Sequence, residues 1–142
     1  MKLTSELRKA FTLIELMVTL SIVTILTITA IPILKNFINQ SKVSDAISAA
    51  TVVQTMVAKQ VARNETVTAS GTGLSLPASL GRYVSSFSVS SAGVISITTT
   101  NSAASVSLTL TPSFNSSTQQ ISWVCAVSSS SYNDLVPAPC RI

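Results

Sequence analysis

Histidine is absent from the 142 residues of this chain, and cysteine occurs only twice. Without histidine and with two thiols, the chain lacks the ligand sets of the usual zinc sites. Neither a Ser-His nor a Cys-His catalytic pair can form. Charged residues make up 10% of the chain and aromatic residues 5%. The sequence therefore predicts a protein that is not an enzyme and that uses no metal and no cofactor.

Apolar residues are concentrated near the N-terminus instead. A short basic leader, residues 1–10, runs into Phe11-Thr-Leu-Ile-Glu15-Leu-Met, and the apolar stretch continues to Leu34. Glu15 is a lone charge within it, and a carboxylate in a segment of membrane length is costly and needs a partner. Cutting the chain after Ala10 would create a cationic amine on Phe11, close to the carboxylate of a neighbouring copy.

The run Lys9-Ala-Phe-Thr-Leu-Ile-Glu-Leu-Met17 resembles the N-terminus of type IV prepilins, and the resemblance is specific over residues 8–35. It implies cleavage between Ala10 and Phe11 by a membrane prepilin peptidase, N-methylation of Phe11 and an assembly role for Glu15. Ala10 stands where the family nearly always has glycine, and both residues are small.

Two alternatives for this N-terminal segment stay open. An ordinary signal peptide has an apolar core of about 7–15 residues, which is shorter than this stretch. A generic membrane anchor fits the length, since about 20 apolar residues cross a bilayer, but it leaves Glu15 unexplained. Three basic residues precede the span and two follow it, at Lys35 and Lys42. This distribution favours a cytoplasmic N-terminus.

A single long helix is predicted over residues 11–63. Before Pro32 it is apolar on all sides, as inside a membrane or a filament core, and its hydroxyl groups can bond to backbone carbonyls one turn back. Pro32 predicts a kink or a local loosening. Beyond it, apolar residues recur at the spacing of an amphipathic helix: Val43, Ala46, Ile47, Ala50, Val53, Val57 and Val61.

The remaining chain, residues 64–142, is predicted to form a globular head. It opens with a loop over residues 64–79, and a second polar loop is predicted over 112–119. Trp123 is expected to pack in the core or on the sheet. The strand candidates, chosen by alternation and β-branched content, are residues 83–90, 94–100, 106–110 and 121–127.

This order of elements predicts an α+β fold, with the long helix packed on a four-stranded antiparallel sheet. The predicted organisation has four parts: a removable leader over residues 1–10, a transmembrane or filament-core helix over 11–34, an amphipathic helix over 35–63 and the head over 64–142.

Cys125 and Cys140 are expected to pair, because cysteines of an exported chain form disulfides. The bridge would close a C-terminal loop and stabilise the head by about 3 kcal/mol. Two free buried thiols are the alternative. The resemblance to pilins implies that such a loop serves subunit contacts and surface recognition.

The resemblance implies a structural subunit that polymerises into a helical surface filament serving adhesion, twitching motility or DNA uptake. Its expected partners are other pilin subunits, prepilin peptidase, and an inner-membrane assembly machine with a cytoplasmic ATPase. The precursor is expected in the bacterial inner membrane, with its head on the periplasmic side, and the mature subunit in the extracellular pilus.

Two other functions stay open. A pseudopilin of type II secretion shares this N-terminus, although Asp134 is the only acidic residue after Glu65, too few for a calcium loop. A minor pilin that binds DNA or a host receptor is the other, with a basic patch formed by Lys59, Arg63, Arg82 and Arg141. Two glycosylation acceptor patterns begin at Asn64 and Asn115.

Overall fold

The structure is a computed structural model that describes residues 11–142. The leader predicted over residues 1–10 lies outside the described residues. The chain falls into two compact units, the first ending at Lys35 and the second comprising Asn36–Ile142.

Two helices take up the predicted helical region, α1 over Leu13–Ala49 and α2 over Thr51–Asn64. Ala50 separates them but keeps helical dihedral angles. The helical hydrogen bonds also continue across it, since the Ala50 N–H reaches the Ala46 carbonyl at 3.3 Å and the Gln54 N–H reaches the Ala50 carbonyl at 2.9 Å. The amphipathic spacing places Val53, Val57 and Val61 in the core, because they recur on one face of the helix.

The head contains a four-stranded antiparallel sheet in the order β1-β2-β3-β4. The strands are β1 over Val84–Val89, β2 over Ile95–Thr99, β3 over Ser107–Asn115 and β4 over Gln120–Val127. Consecutive strands pair, and β1 and β4 are the edges. The predicted α+β fold, with a long N-terminal helix on a four-stranded sheet, is confirmed.

The prediction of a loop over residues 112–119 is wrong for residues 112–115, which belong to β3. β3 continues through Pro112 to Asn115, and Pro112 lies opposite Trp123 of β4. Proline disfavours a strand because it has no N–H to donate, yet it is tolerated where one side of the strand is unpaired. The pairing between β2 and β3 ends at Leu110, so β3 has a neighbour only on the β4 side at Pro112.

The core consists of two clusters in the unit Asn36–Ile142. The main cluster joins α2 to β2 and β3 through Val53, Val57, Ile95 and their neighbours. Trp123 packs against this cluster from β4, as expected. The second cluster joins α1 to the C-terminal segment through residues that the helix, the sheet and the last turns contribute: Val43, Ala103, Val106, Leu108, Val127, Val136 and Cys140.

Gly93 closes the turn between β1 and β2 at a crowded position. Its N–H donates to the Ser90 carbonyl at 2.9 Å, and its φ of 76° lies in the left-handed region. A Cβ atom there would approach Val57 Cγ1 to 2.8 Å. Glycine is therefore required both by the backbone angle and by the close approach of α2.

Candidate functional site

Two of the predicted site residues lie at the start of the helical region, Phe11 two residues before α1 and Glu15 in its first turn. The Glu15 N–H donates to the Thr12 side-chain oxygen at 3.3 Å, so Thr12 caps the helix that begins at Leu13. The pattern Thr-x-x-Glu is the sequence signature of such a start, and it went unused in the sequence analysis. The Glu15 carboxylate also lies in the first turn, where the helix dipole favours a negative charge.

Ala10, the other half of the predicted cleavage point, lies outside the described residues. Phe11 is the first described residue, and its side chain is 79% exposed. Cleavage there, methylation of the new amine, and pairing of that amine with Glu15 of another copy stay predictions.

The first part of α1 exposes a continuous apolar surface. Every large apolar side chain from Phe11 to Leu34 is at least half exposed. Within residues 11–142, one helical stretch, Leu13–Asn64, is long and apolar enough to cross a membrane. A contiguous apolar surface of this extent marks a region that lipid or another protein covers.

Polar groups inside this apolar stretch are satisfied by the helix itself. Five hydroxyl side chains donate to backbone carbonyls three or four residues earlier, at 2.7–2.9 Å, as predicted from the sequence. They are Thr19, Ser21, Thr24, Thr27 and Thr29. The hydroxyl groups therefore add little desolvation cost in lipid, because each already has an acceptor.

Pro32 lies inside α1, whose bounds run through it. A proline in a helix interior removes one backbone hydrogen bond and weakens the helix locally. The predicted loosening of the helix at Pro32 in a filament stays a prediction.

The predicted disulfide is present between Cys125 of β4 and Cys140, with their Cα atoms 4.5 Å apart. The loop that it closes contains two short 3₁₀ turns, Ser130–Leu135 and Ala138–Cys140, where the sequence showed no regular pattern. Asn133 binds Ile142 through two hydrogen bonds. Its side chain donates to the Ile142 carbonyl at 2.8 Å and accepts from the Ile142 N–H at 3.2 Å.

A second attachment holds this loop to α1, and sequence reasoning missed it. Val43 of α1, Val136 of the loop and Cys140 are all buried in the second core cluster. Gln40 makes a long hydrogen bond of 3.5 Å to the Val136 carbonyl. The signal for Val43 was its helical spacing, but no local pattern indicated which segment it would contact.

Of the four basic residues predicted to form a patch, two share a groove, and the patch as a whole stays a prediction. Lys59 and Arg63 line one groove on α2 together with Leu74. Arg82 is not among the residues that line this groove. Arg141 donates from Nε to the Val136 carbonyl at 3.3 Å and so belongs to the C-terminal loop.

Both cysteines of the chain are joined in the disulfide. Residues 11–142 contain no group of three or more His, Cys, Asp or Glu side chains that would hold a metal ion.

Two protein-family models match the sequence. One, described as Pilin (bacterial filament), matches residues 40–141, and the other, described as a prokaryotic N-terminal methylation motif, matches residues 7–31. Among curated proteins, the chain is similar to prepilin peptidase-dependent protein D of Escherichia coli strain K12. The two are 30% identical over 129 residues, which cover 87% of each chain. A search of solved structures finds no match.

Proposed function

Because the chain belongs to the pilin family of bacterial filament proteins, we propose that it is the precursor of a type IV pilin. The pilin family consists of structural subunits. In the proposed function, prepilin peptidase removes residues 1–10, Phe11 is N-methylated, and the mature chains polymerise into a helical surface filament. The name of the Escherichia coli relative, which refers to prepilin peptidase, supports the processing step.

One observation carries this proposal: the apolar surface of α1 with Glu15 at its start. From Phe11 to Leu34 the apolar side chains are exposed in the single chain, and burying such a surface is strongly favourable. Lipid covers it in the precursor, and the same segment of neighbouring subunits covers it in the filament. The proposed division of the mature chain is a filament-core helix over 11–34, an amphipathic helix over 35–63 and a head over 64–142.

Glu15 is proposed to set the position of each subunit along the filament. The methylated amine of Phe11 stays cationic, and an unpaired charge in an apolar environment is strongly disfavoured. A subunit therefore enters where its amine meets the Glu15 carboxylate of a neighbour. The described N-terminal turn supports this role, since Thr12 caps the helix and leaves the carboxylate exposed.

The proposed route begins in the inner membrane, with the head on the periplasmic side. Prepilin peptidase and the assembly machine with its cytoplasmic ATPase act there, and the filament then extends from the cell surface. Adhesion, twitching motility and DNA uptake are the roles proposed for the filament, and contacts with DNA or a host surface belong to these roles.

Mass spectrometry and N-terminal sequencing of filaments sheared from the cell surface test this proposal. The expected result is an abundant chain that begins at methylated Phe11. An intact leader on assembled protein, or an N-terminus near Ile31, would contradict the processing step. Absence of the chain from surface filaments, with accumulation in the cell envelope, would instead favour a pseudopilin. A trace amount within filaments made of another subunit would favour a minor pilin.

A further inference from the structure

The two edges of the sheet differ in how accessible they are, and β1 is the obstructed one. Its pairing with β2 is irregular between Val84 and Ser86, and this end of the strand lines a cleft with residues 78–80. At the other end, Gly71 lies so close that an added Cβ atom would overlap the Ser90 carbonyl oxygen. Irregular pairing and covering loops both hinder an edge strand from pairing with another chain.

The other edge, β4, is regular and carries no charge. Its eight residues contain neither a proline nor a charged side chain, and they pair with β3 without a shift of register. The disulfide loop flanks the C-terminal end of the strand, where the Cα atom of Cys140 lies 4.5 Å from that of Cys125. Residues 120–124 precede this loop contact and form the open edge of the sheet.

The direction of the backbone groups along β4 follows from a hydrogen bond just beyond its end. The Ser128 N–H donates to the Ser107 carbonyl at 2.9 Å, so these two residues form a hydrogen-bonded pair of the antiparallel ladder. Such pairs alternate with non-bonded pairs along two antiparallel strands. Counting back from Ser128, the residues of the open edge whose N–H and C=O groups turn away from β3 are Ile121 and Trp123.

The outward backbone groups of Ile121 and Trp123 have no strand beside them in the single chain. β4 pairs with β3 alone, and within residues 11–142 no turn or loop forms a backbone hydrogen bond with either residue. A row of unpaired N–H and C=O groups on an edge strand is a template for another strand, which binds through main-chain hydrogen bonds. The chemistry of this edge therefore fits an extended polypeptide segment.

A second copy of the chain supplies such a segment through its own open edge. The midpoint of the open edge is Ser122, and a two-fold axis there places Ile121 of one copy opposite Trp123 of the other. A β-branched residue opposite an aromatic one stabilises paired strands. Val124, which is 60% exposed in the single chain, then lies opposite Gln120. Because the open edge is uncharged, the two copies meet without repulsion.

We propose that the open edges of two copies pair as antiparallel strands around a two-fold axis at Ser122, and that the two copies belong to different filaments. The placement rests on the proposed function, in which every subunit enters its filament in the same direction. A two-fold contact joins a surface to the same surface on the partner and closes on itself. It therefore does not propagate along such a filament, and it joins neighbouring filaments side by side.

The strength of this association comes from repetition of a weak contact. One pair of open edges exchanges about four hydrogen bonds, since Ile121 and Trp123 form a bonded pair on each side of the axis. These bonds do not offset the loss of free movement of two separate molecules, so single chains stay monomeric. A filament presents the open edge on every subunit, and linked contacts bind far more tightly than one contact alone.

Low-speed sedimentation of purified filaments of the full chain tests the lateral contact. Ser122→Lys places like charges directly opposite each other, so the sedimenting fraction should fall about fivefold or more. Ser96→Lys adds the same charge to the same exposed face, away from the open edge, and should stay within about twofold. Normal sedimentation of Ser122→Lys filaments would overturn the contact. Unsubstituted filaments that stay dispersed would also overturn it, as expected if the edge binds another protein.

A cross-link between copies tests the register. Residue 122 faces its own counterpart as a non-bonded pair, with Cα atoms about 4.5 Å apart, which is within the range of a disulfide. Oxidised Ser122→Cys filaments should therefore give dimers on a non-reducing gel, whereas Ser96→Cys filaments should give monomers.

The two readouts together separate the parts of the proposal. Sedimenting Ser122→Cys filaments that give no dimers would overturn the strand pairing. Dimers in filaments that stay dispersed would overturn its placement between filaments. Absence of filaments from the unsubstituted chain would instead contradict the proposed function.

Discussion

Glu15 has a structural role at the start of α1 and, separately, a proposed role between subunits. As an acidic residue of the first turn it stabilises the helix N-terminus, and its exposed carboxylate is the proposed partner of an amine on another copy. Thr12 contributes to the first role only, through the hydrogen bond from the Glu15 N–H. Variants at the two positions therefore distinguish helix capping from pairing between subunits.

Glu15→Ala is expected to leave a precursor that is folded and inserted in the membrane but assembles poorly, with filament yield reduced at least about tenfold. The reason is that the Phe11 amine of the incoming subunit would be left unpaired in an apolar environment. Thr12→Ala is the control, because it removes the cap at a cost of about 1 kcal/mol while keeping the carboxylate. The amounts of sheared filament and of membrane precursor are measured for both variants. A normal filament yield from Glu15→Ala would refute the pairing role.

Gly93 and Gly73 form a matched pair for testing close packing at a single residue. Both have a positive φ, 76° and 69°, but only Gly93 faces neighbouring atoms, whereas a Cβ at Gly73 meets nothing within 4 Å. Gly73→Ala should cost about 1 kcal/mol for its backbone conformation, and Gly93→Ala about 2–4 kcal/mol, since overpacking adds to it. Denaturant unfolding of the two variants in detergent measures the difference, and equal losses would show that α2 retreats from the turn.

At the scale of elements, the C-terminal loop is held at two places. The disulfide joins it to β4, and Val136 joins it to α1 beside Val43 in the second core cluster. The two attachments raise the free energy of unfolding in different ways. A disulfide mainly restricts the unfolded chain, whereas burial of Val136 stabilises the folded one.

Cys140→Ser is expected to lower the free energy of unfolding by about 2–4 kcal/mol and to leave the loop attached through Val136. Replacing both cysteines by serine should give the same loss, because the bond is already absent in the single variant. Chemical denaturation followed by circular dichroism measures both variants. Rapid alkylation of both thiols in native, unsubstituted protein would contradict the bond itself.

Pro32 is expected to loosen α1 in the proposed filament, in which the helix would pack against the helices of neighbouring subunits. An uncompensated proline in a helix interior costs about 3 kcal/mol, and loss of helix there would let the N-terminal segments pack more closely. Side-chain-resolution filament maps of the unsubstituted chain and of Pro32→Ala test this. A continuous, straight helix over residues 28–36 in both would show that the proline has no such role.

At the scale of the whole molecule, burial is confined to one of the two units. Within residues 11–142, every buried side chain lies at or beyond Val43, so the core belongs to the unit Asn36–Ile142. Residues 11–35 of the other unit expose their large apolar side chains, which lipid or other subunits cover in the proposed function. This division matches the two environments proposed for a pilin, with an anchored precursor and a polymerised subunit.

A chain that begins at Asn36 is therefore expected to be a soluble monomer that folds by itself. Its free energy of unfolding should lie within about 1 kcal/mol of that of the full chain in detergent, because the truncation removes no buried side chain and ordinary surface changes cost little. Size-exclusion chromatography and thermal unfolding measure this. Aggregation of the truncated chain, or loss of a cooperative transition, would show that the N-terminal part of α1 supports the head.

The sequence by itself determined the features that depend on local pattern and chemistry. The apolar segment with Glu15, the helical spacing of Val53 and Val57, and the alternation in β3 are all visible along the chain, because a helix repeats every 3.6 residues and a strand every two. The pairing of Cys125 with Cys140 was also predictable, since a chain with two cysteines can form only one internal disulfide and cysteines of exported proteins form such bonds.

Only the tertiary structure decided which distant segments meet. Pro112 indicated a loop, yet β3 continues because its β2 neighbour has already ended at Leu110. Val43 had the spacing of a core residue, but its contact with Val136 depends on how the last turns fold back on α1. Such contacts join residues far apart in the chain, so no local periodicity records them.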